Sequence, residues 1–380
     1  MTMPTFFWAS VVLILYIYIG YPLLMRLLPR NPVRIRESAE LPSVTVLIPA
    51  YNEADVIEQT VRNKLEQAYP SDRLEVIVIS DESSDGTDEI VRTIANQDSR
   101  VKLLRQEPRQ GKTAGLNRAV EEAAGEIIIF SDANSQFASD ALKHLVAPFS
   151  DDSVGYVTGK MVYVNEEGNL IGDGCGAYMR YENSLRHWES RVSSVVGVDG
   201  GVDAVRKSLY QPMSPDQLPD FVQPLKVVEQ GKRVVYTDSA LLHEESLKDS
   251  QSEFKMRVRV SLRAYWAMWD MRHLMNPLRY GVFSLQLISH KLLRYLAFVP
   301  LLAALVSGLI LADVHWIYAL ASIVQIVFYS VAGYSIVEGG SGNRLVNLIN
   351  YFSLINTASM IAFVKFVKGE KIVIWKPRGG

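Results

Sequence analysis

Read for hydrophobicity alone, the chain has two apolar ends and a middle that alternates. Between residues 40 and 275, which carry most of the charge, short apolar runs are separated by amphipathic stretches. Val44-Thr-Val-Leu-Ile48, Glu75-Val-Ile-Val-Ile79, Val101-Lys-Leu-Leu104 and Ile127-Ile-Ile-Phe130 predict strands, the last fully buried. Ala54 to Gln67, Asp88 to Ala95 and Ala114 to Ala124 show helical periodicity and predict the connecting helices. Apolar runs alternating with helical patterns mean parallel βαβ units in a doubly wound sheet.

Three of these strands end in polar clusters: Pro49-Ala-Tyr-Asn-Glu53, Ser80-Asp-Glu-Ser-Ser-Asp-Gly-Thr87 and Ser131-Asp-Ala-Asn-Ser135. In open α/β sheets ligands bind beyond the carboxyl ends of the strands, so the three clusters are expected to line one crevice. Asp132 and Asn134, two residues apart in a turn, can both face one hard cation. The plain alternative is that Asp132 caps a helix beginning near Ala138. Asn52 has a similar alternative as a helix cap, and Asp85-Gly86 reads as the turn after its strand. No Gly-x-Gly-x-x-Gly and no phosphate-binding Gly-x-x-x-x-Gly-Lys-Ser/Thr is present, so a nucleotide must be held by another device.

The ends are membrane-like. Phe6 to Met25 carries no charge and is long enough to span a bilayer. It lacks the basic start and small-residue cleavage site of a signal peptide, so it reads as a retained helix. Arg26, Arg30, Arg34 and Arg36 follow it and place the middle domain in the cytoplasm. Tyr280 to Arg294 is expected to lie at the interface, and Tyr295 to Leu311 and Trp316 to Val337 to span. Leu345 to Val367 is apolar but carries Asn347, Asn350, Asn356 and Ser359, which are costly against lipid. Lys365, Lys368, Lys371, Lys376 and Arg378 follow, favouring a re-entrant or interface-packed segment over an ordinary span with an external tail. The expected organisation is a transmembrane helix at 1–28, a proline-punctuated linker at 29–42, a catalytic domain at 43–275, and interfacial and transmembrane helices at 276–380.

Composition narrows the function by exclusion. With 39 Lys+Arg against 41 Asp+Glu the chain has no global basic field, so nucleic acid is not an expected partner. Its one cysteine, Cys175, excludes an intrachain disulfide and a cysteine metal cage.

At this point the sequence resembles the family 2 glycosyltransferases, inverting GT-A enzymes whose membrane-bound branch makes hyaluronan, cellulose and related polysaccharides. The resemblance covers about Ser43 to Arg263. It rests on Ile48-Pro-Ala-Tyr-Asn-Glu53, Ser80-Asp81 with Ser84-Asp-Gly-Thr87, Gly111-Lys112 with Leu116-Asn117, and Ser131-Asp-Ala-Asn134. It continues through Gly200-Gly201 with Ala204-Val-Arg206, Pro219-Asp220, Gly231 to Tyr236, and Arg257, Arg259 and Arg263. It implies a Rossmann-like GT-A domain with a mostly parallel sheet, flanked by the membrane helices, at the inner (plasma) membrane.

The resemblance also implies roles. Pro49, Tyr51, Glu53 and Asp81 would hold the base and ribose of a nucleotide-sugar donor, read as a UDP-sugar, and Lys112 would approach its base or phosphates. Asp132, with Asn134 where the family usually has a second acid, would bring Mg²⁺ or Mn²⁺ to the diphosphate. Arg259 and Arg263, one helical turn apart, would clamp that diphosphate. Asp220 would be the general base, with a turn aspartate as the plain alternative and Asp216 as a competitor. Gly200 and Gly201 suit a sugar ring or a tight strand end, and Trp266 the acceptor path or the membrane interface. Met256-Arg-Val-Arg259-Val260 keeps one arginine of the Gln-x-x-Arg-Trp seen in processive relatives and loses the rest, which weakens processivity.

The expected activity is hexosyl transfer to a growing or lipid-linked surface polysaccharide. The alternative acceptor is a membrane lipid: diacylglycerol, ceramide or polyprenyl phosphate. Three or four membrane segments leave little wall for a channel, which favours single transfers or a pore built by a homo-oligomer. A nonenzymatic scaffold is disfavoured by the intact Asp81, Asp132 and Asp220.

Overall fold

The computed structural model describes residues 2–36, 40–164, 170–245, 250–337 and 343–372. Eight strands form one sheet in the order β3-β2-β1-β4-β7-β6-β8-β5. They are β1 (Val44–Ala50), β2 (Leu74–Asp81), β3 (Val101–Gln106), β4 (Ile127–Phe130), β5 (Gln136–Phe137), β6 (Val154–Val164), β7 (Asp203–Arg206) and β8 (Arg233–Glu245). The first four pair in parallel, as the alternating pattern requires. β7 then pairs antiparallel with both β4 and β6, and β5 antiparallel with β8. The alternation did not extend to this half, whose strands are joined by longer and less regular connections.

The two faces of the sheet are read from alternate residues. Val44, Val46 and Ile48 point to a layer built with Ile57, Val61 and Val91. Leu47, Ile77, Ile79, Ile128 and Phe130 point to the other, with Leu116, Ala119 and Val120. Each large apolar side chain buried this way contributes about 1.5–3 kcal/mol. The helices that supply these layers are α2 (Ile57–Leu65), α3 (Thr87–Gln97) and α4 (Lys112–Glu122), close to the expected stretches. Near residue 138, however, the chain makes β5 first, and the helix α5 starts only at Ala141 (Ala141–Val146).

The apolar ends assemble into a helical base. α1 (Met3–Leu27), α11 (Trp316–Val337) and α12 (Arg344–Val367) include three stretches long and apolar enough to cross a membrane. The stretch Tyr280 to Arg294, expected at the interface, forms α9 (Val282–Tyr295), one face of which is buried against protein with Ser284, Gln286 and His290. One expectation is corrected: Tyr295 to Leu311 does not span on its own, because α10 (Phe298–Ile310) has only 13 residues. That is about 20 Å of helix against about 30 Å of hydrocarbon. α9 and α10 meet at a 56° bend and reach spanning length only as a broken pair.

α12 is one unbroken helix, so no re-entrant turn forms within it. Its polar stripe is covered as expected: Asn347, Asn350, Asn356 and Ser359 are all buried. It packs against α6 (Leu170–Val192) and α8 (Ser250–Asp270), so the catalytic layer and the apolar base share one helix. The Lys376 and Arg378 used in the topology argument lie outside the described residues.

A buried polar cluster joins the base to the α/β layers. Glu189 accepts from the Tyr21 hydroxyl and faces Nδ1 of His290 at 2.7 Å, while Glu182 faces Nε2 at 3.2 Å and pairs with Arg294. Removing one partner from such a buried network leaves the others uncompensated. Glu189→Ala is therefore expected to cost about 3–5 kcal/mol. A thermal midpoint in detergent equal to that of the parent would show the cluster to be dispensable.

Candidate active site

The three strand-end clusters do converge. Asn52, in the left-handed region at φ 54°, accepts from Ser84 N and donates its own N–H to Ser83 Oγ. Glu53 N donates to Thr87 Oγ1, and Ala54 N to Asp85. Asn52 is thus a tie between the turns after β1 and β2 and not a helix cap, since α2 starts five residues later. Asp85 also accepts from Thr87 N two residues on, the turn expected of it.

Asp81, buried at the end of β2, fixes the approach to α4. Its carboxylate accepts from Gln106, Arg109 Nε, Gln110 N and Gly111 N. The same Arg109 guanidinium lies 3.4 Å from the centre of the Tyr51 ring. Arg109 was missed in the sequence, although it stands three residues before the recognised Lys112. Pro49 sits within β1 beside this group, and Glu53 closes the adjoining turn.

Lys112, the first residue of α4, carries the charge balance of the crevice. Its Nζ donates to Asp132 Oδ1 at 2.8 Å and lies 3.8 Å from Asp220 Oδ1. Burial alone would lower Lys112, but Asp132 and Asp220 together hold it above the ordinary lysine value. Burial raises the Asp220 carboxyl, Lys112 draws it back, and Asp132 raises it again, leaving it above the usual aspartate range. Asp132 is not the cap of α5, because β5 intervenes before that helix. Asn134 makes no side-chain hydrogen bond among the described residues, so its amide oxygen is available.

Asp220 is placed by its neighbours. It lies in the first turn of α7 (Pro219–Glu229), where a carboxylate is favoured by the helix dipole. The loop before it is tied to α4 by Asn117, which bonds both N–H and C=O of Met213, and by Thr113, which donates to Gln217 O. Gly200, at φ +84°, lies under Asp220: a Cβ there would be 2.5 Å from the carboxyl carbon. The following Gly201 lies beside Asp132 and Ser135. The two glycines therefore end a strand connection and also touch both carboxylates.

Beneath them Asp203 is fully buried and accepts from Gly200 N at 2.8 Å. Burial raises its carboxyl to about 7, with Asp220 and Asp199 adding to the rise. Its position on β7 gave no sequence signal, since one acid in a short strand resembles many others. Lys64, fully buried on α2, was also missed; it donates to Ser135 O and so braces the turn bearing Asp132.

The arginines of α8 are differently engaged. Arg257 pairs with Glu253 and bonds Tyr351 of α12. Arg263 donates to the carbonyls of Asp216 and Gln217, so it holds the loop before Asp220 and does not stand open as a clamp. Arg259 lies one turn before it on the same helix. Trp266 donates to Glu370 O and stacks edgewise on Phe366, fixing the chain just after α12. Asp216, the competing candidate for the base, is paired with Lys371.

An α/β sheet with strand-end turns converging on a lysine between two carboxylates, set on an apolar helical base, is a domain of the GT-A glycosyltransferase kind. Residues 45–198 match the family described as Glycosyl transferase family 2, and the chain carries a glycosyltransferase domain of that family. A probable glycosyltransferase of Bacillus subtilis, YdaM, is 37% identical over 147 residues, covering 37% of this chain and 35% of its own. A β-monoglucosyldiacylglycerol synthase of Trichormus variabilis is 32% identical over 169 residues, 44% of this chain and 36% of its own. The matches thus span about a third of each curated relative. The mannosyltransferase PcManGT of Pyrobaculum calidifontis, solved with GDP-Man and Mn²⁺, has a TM-score of 0.76. It covers 97% of this chain and 100% of its own at 22% identity, a likeness of fold.

Two outcomes test this geometry. Asp203 is held neutral far above the unfolded value of about 3.9, so it weakens the fold progressively as pH rises from about 4 to about 7. In chelator, Asp203→Asn should match the parent midpoint near pH 4 and exceed it increasingly toward pH 8; parallel curves would contradict this. Gly200→Ala should drive a methyl into Asp220 in a strained backbone, and cut turnover by about 100-fold or more.

Proposed function

We propose that the chain is an inverting, metal-dependent glycosyltransferase that moves a sugar from a nucleotide-sugar donor to a saccharide acceptor at the inner membrane face. The observation that carries this is Lys112 held between Asp132 and Asp220: two carboxylates with different neighbours at one crevice. Such a pair divides into a group that faces a cation and a group that takes a proton.

Asp132 and Asn134 would hold Mg²⁺ or Mn²⁺. The donor set fits: one carboxylate and one available amide oxygen leave room for the diphosphate oxygens and water that such ions prefer. When bound, the ion would offset charge on the departing nucleoside diphosphate. Pro49, Tyr51, Glu53 and Asp81 are assigned to the nucleoside end, where Arg109 already covers the Tyr51 ring. Lys112, Arg259 and Arg263 are assigned to the phosphates, Arg263 exchanging its two carbonyl partners for the donor.

Asp220 then acts as the base. Its carboxylate takes the proton of the acceptor hydroxyl while that oxygen forms the new bond to the anomeric carbon. The bond to the diphosphate oxygen breaks on the opposite face, leaving the inverted sugar and the nucleoside diphosphate. Burial keeps the Asp220 proton affinity above that of a free aspartate, which suits a base. Gly200 and Gly201 would form the floor under the acceptor and Trp266 its outer rim. The domain at 43–275 would carry this chemistry in the cytoplasm, with 1–28 and 276–380 as its membrane base.

The acceptor is read as a growing or lipid-linked saccharide. A glycolipid synthase acting on a lipid such as diacylglycerol is the second reading, favoured by the broken helix pair α9–α10 beside the crevice and by the activity named for the Trichormus relative.

Asp220→Asn should lower transfer by about 100- to 10,000-fold while nucleotide binding is retained. Asp132→Ala and metal removal should each abolish donor turnover. A donor screen on the purified chain in lipid, with mass analysis of products, reads both out. Transfer at the parent rate in Asp220→Asn would remove that residue from the mechanism.

A further inference from the structure

Most charged side chains that reach into the interior have a partner. Arg186 pairs with Asp199 at 2.7 Å, Arg294 with Glu182, and the His290 ring lies between Glu182 and Glu189. Lys64 has no counter-ion but donates to Ser135 O at 2.6 Å. Lys291 differs. Though only partly exposed, it makes no ion pair and no hydrogen bond among the described residues. Removing an ammonium from water without an acceptor is costly, so such a group is retained for something that approaches it.

Its surroundings indicate what approaches. The ammonium rests on the backbone of Gly197, where a Cβ would lie 2.3 Å from Nζ and 2.6 Å from Cε. A side chain there would push the ammonium from that seat. Nζ also lies 5.8 Å from the centre of the Phe221 ring, the residue after Asp220. The loop from Gly197 to Gly200 runs from Lys291 at one end to Asp220 at the other. Three residues span at most about 11 Å between Cα atoms. Gly201, beside Asp132, follows at the Asp220 end, so Lys291 sits at the end of this loop away from the metal-facing carboxylate. Lys291 also falls in the π-helical turn Leu287–Leu292 of α9, in the half of the broken pair that packs against the catalytic layer. π-helical turns inside helices are frequent at functional sites.

We propose that Lys291, seated on Gly197, anchors an anion subsite that binds a phosphate group of the acceptor, about one loop's length from the base Asp220. A point-charge ammonium suits a phosphate oxygen whose orientation varies from ligand to ligand. The neighbouring Arg186 and Arg294 each hold a carboxylate, Asp199 and Glu182, so of the three cations Lys291 is the one with no carboxylate within 4.0 Å among the described residues, and Glu182 and Glu189 attract it only from farther away. The inference rests on the reading of the Asp220 crevice as a glycosyl-transfer site, and it gives that site a phosphorylated acceptor.

The test titrates the full chain in neutral detergent, by calorimetry, with dihexanoyl phosphatidic acid, dihexanoylglycerol and inorganic phosphate. UDP and GDP with Mn²⁺ are titrated in parallel. The phosphatidic acid should bind, the glycerolipid should not, and Lys291→Met should weaken the phosphatidic acid by about tenfold or more while UDP and GDP bind as in the parent. Lys291→Arg should retain most of the affinity. Equal loss for inorganic phosphate assigns the subsite to the phosphate group alone; loss confined to the lipid assigns it to a headgroup. Lys291→Met should not markedly lower the thermal midpoint, since it breaks no ion pair and no hydrogen bond among the described residues. Unchanged phosphatidic acid affinity in Lys291→Met, a parallel loss of UDP or GDP, or a marked fall in midpoint would each overturn the proposal. Failure of the parent chain to bind any nucleotide would strike the transferase reading, while the phosphate titrations remain readable.

Discussion

The constraint on which the crevice depends is the placement of one ammonium between two carboxylates. Asp132 and Asp220 lie on elements distant in sequence, and both approach the same Gly200-Gly201 corner. Like charges brought together at a partly desolvated site oppose each other. Lys112 makes the arrangement stable, bonded to one and within 3.8 Å of the other. Its position is in turn fixed from behind, because Asp81 collects the N–H groups of Gln110 and Gly111 just before α4 begins. A carboxylate at the end of one strand thereby sets the charge balance at the end of another.

The same logic explains how the apolar base is tied to the catalytic layers. Charged and polar groups in the interior are tolerated where each has a partner. Tyr21 of the first membrane-directed helix, Glu182 and Glu189 of α6, and His290 and Arg294 of α9 satisfy one another across three elements. α12 does similar work toward α8, where Tyr351 bonds Glu253 and Arg257 and Ser359 bonds Tyr265. The broken pair α9–α10 gives up a straight span in order to bring His290 and Lys291 to the catalytic side.

Much of the first half of the domain was legible because its strands are buried on both faces and its helices on one. The parallel strands β1 to β4 follow directly from runs such as Ile127 to Phe130. The strand-end turns were legible for a related reason: polar clusters interrupt apolar runs only where the chain leaves the sheet. Asp132 and Lys112 could be named from their motifs. Arg109, Lys64 and Asp203 could not, because each acts through a partner 20 or more residues away or by burial alone. Arg263 was legible as a site arginine, but its bonds to the Asp216 and Gln217 carbonyls were not.

By itself the sequence determined local order: where strands and helices form, which segments are apolar enough for a bilayer, and which turns carry acids. These follow from periodicity and from the cost of placing polar groups against hydrocarbon, both of which act over a few residues. The tertiary structure decided the rest. It showed that Asp132 faces Lys112 and is not the cap of α5, that α10 falls short of a span, and that the polar stripe of α12 is buried against protein. Those outcomes depend on which distant side chains meet, and burial and charge pairing are properties of that meeting.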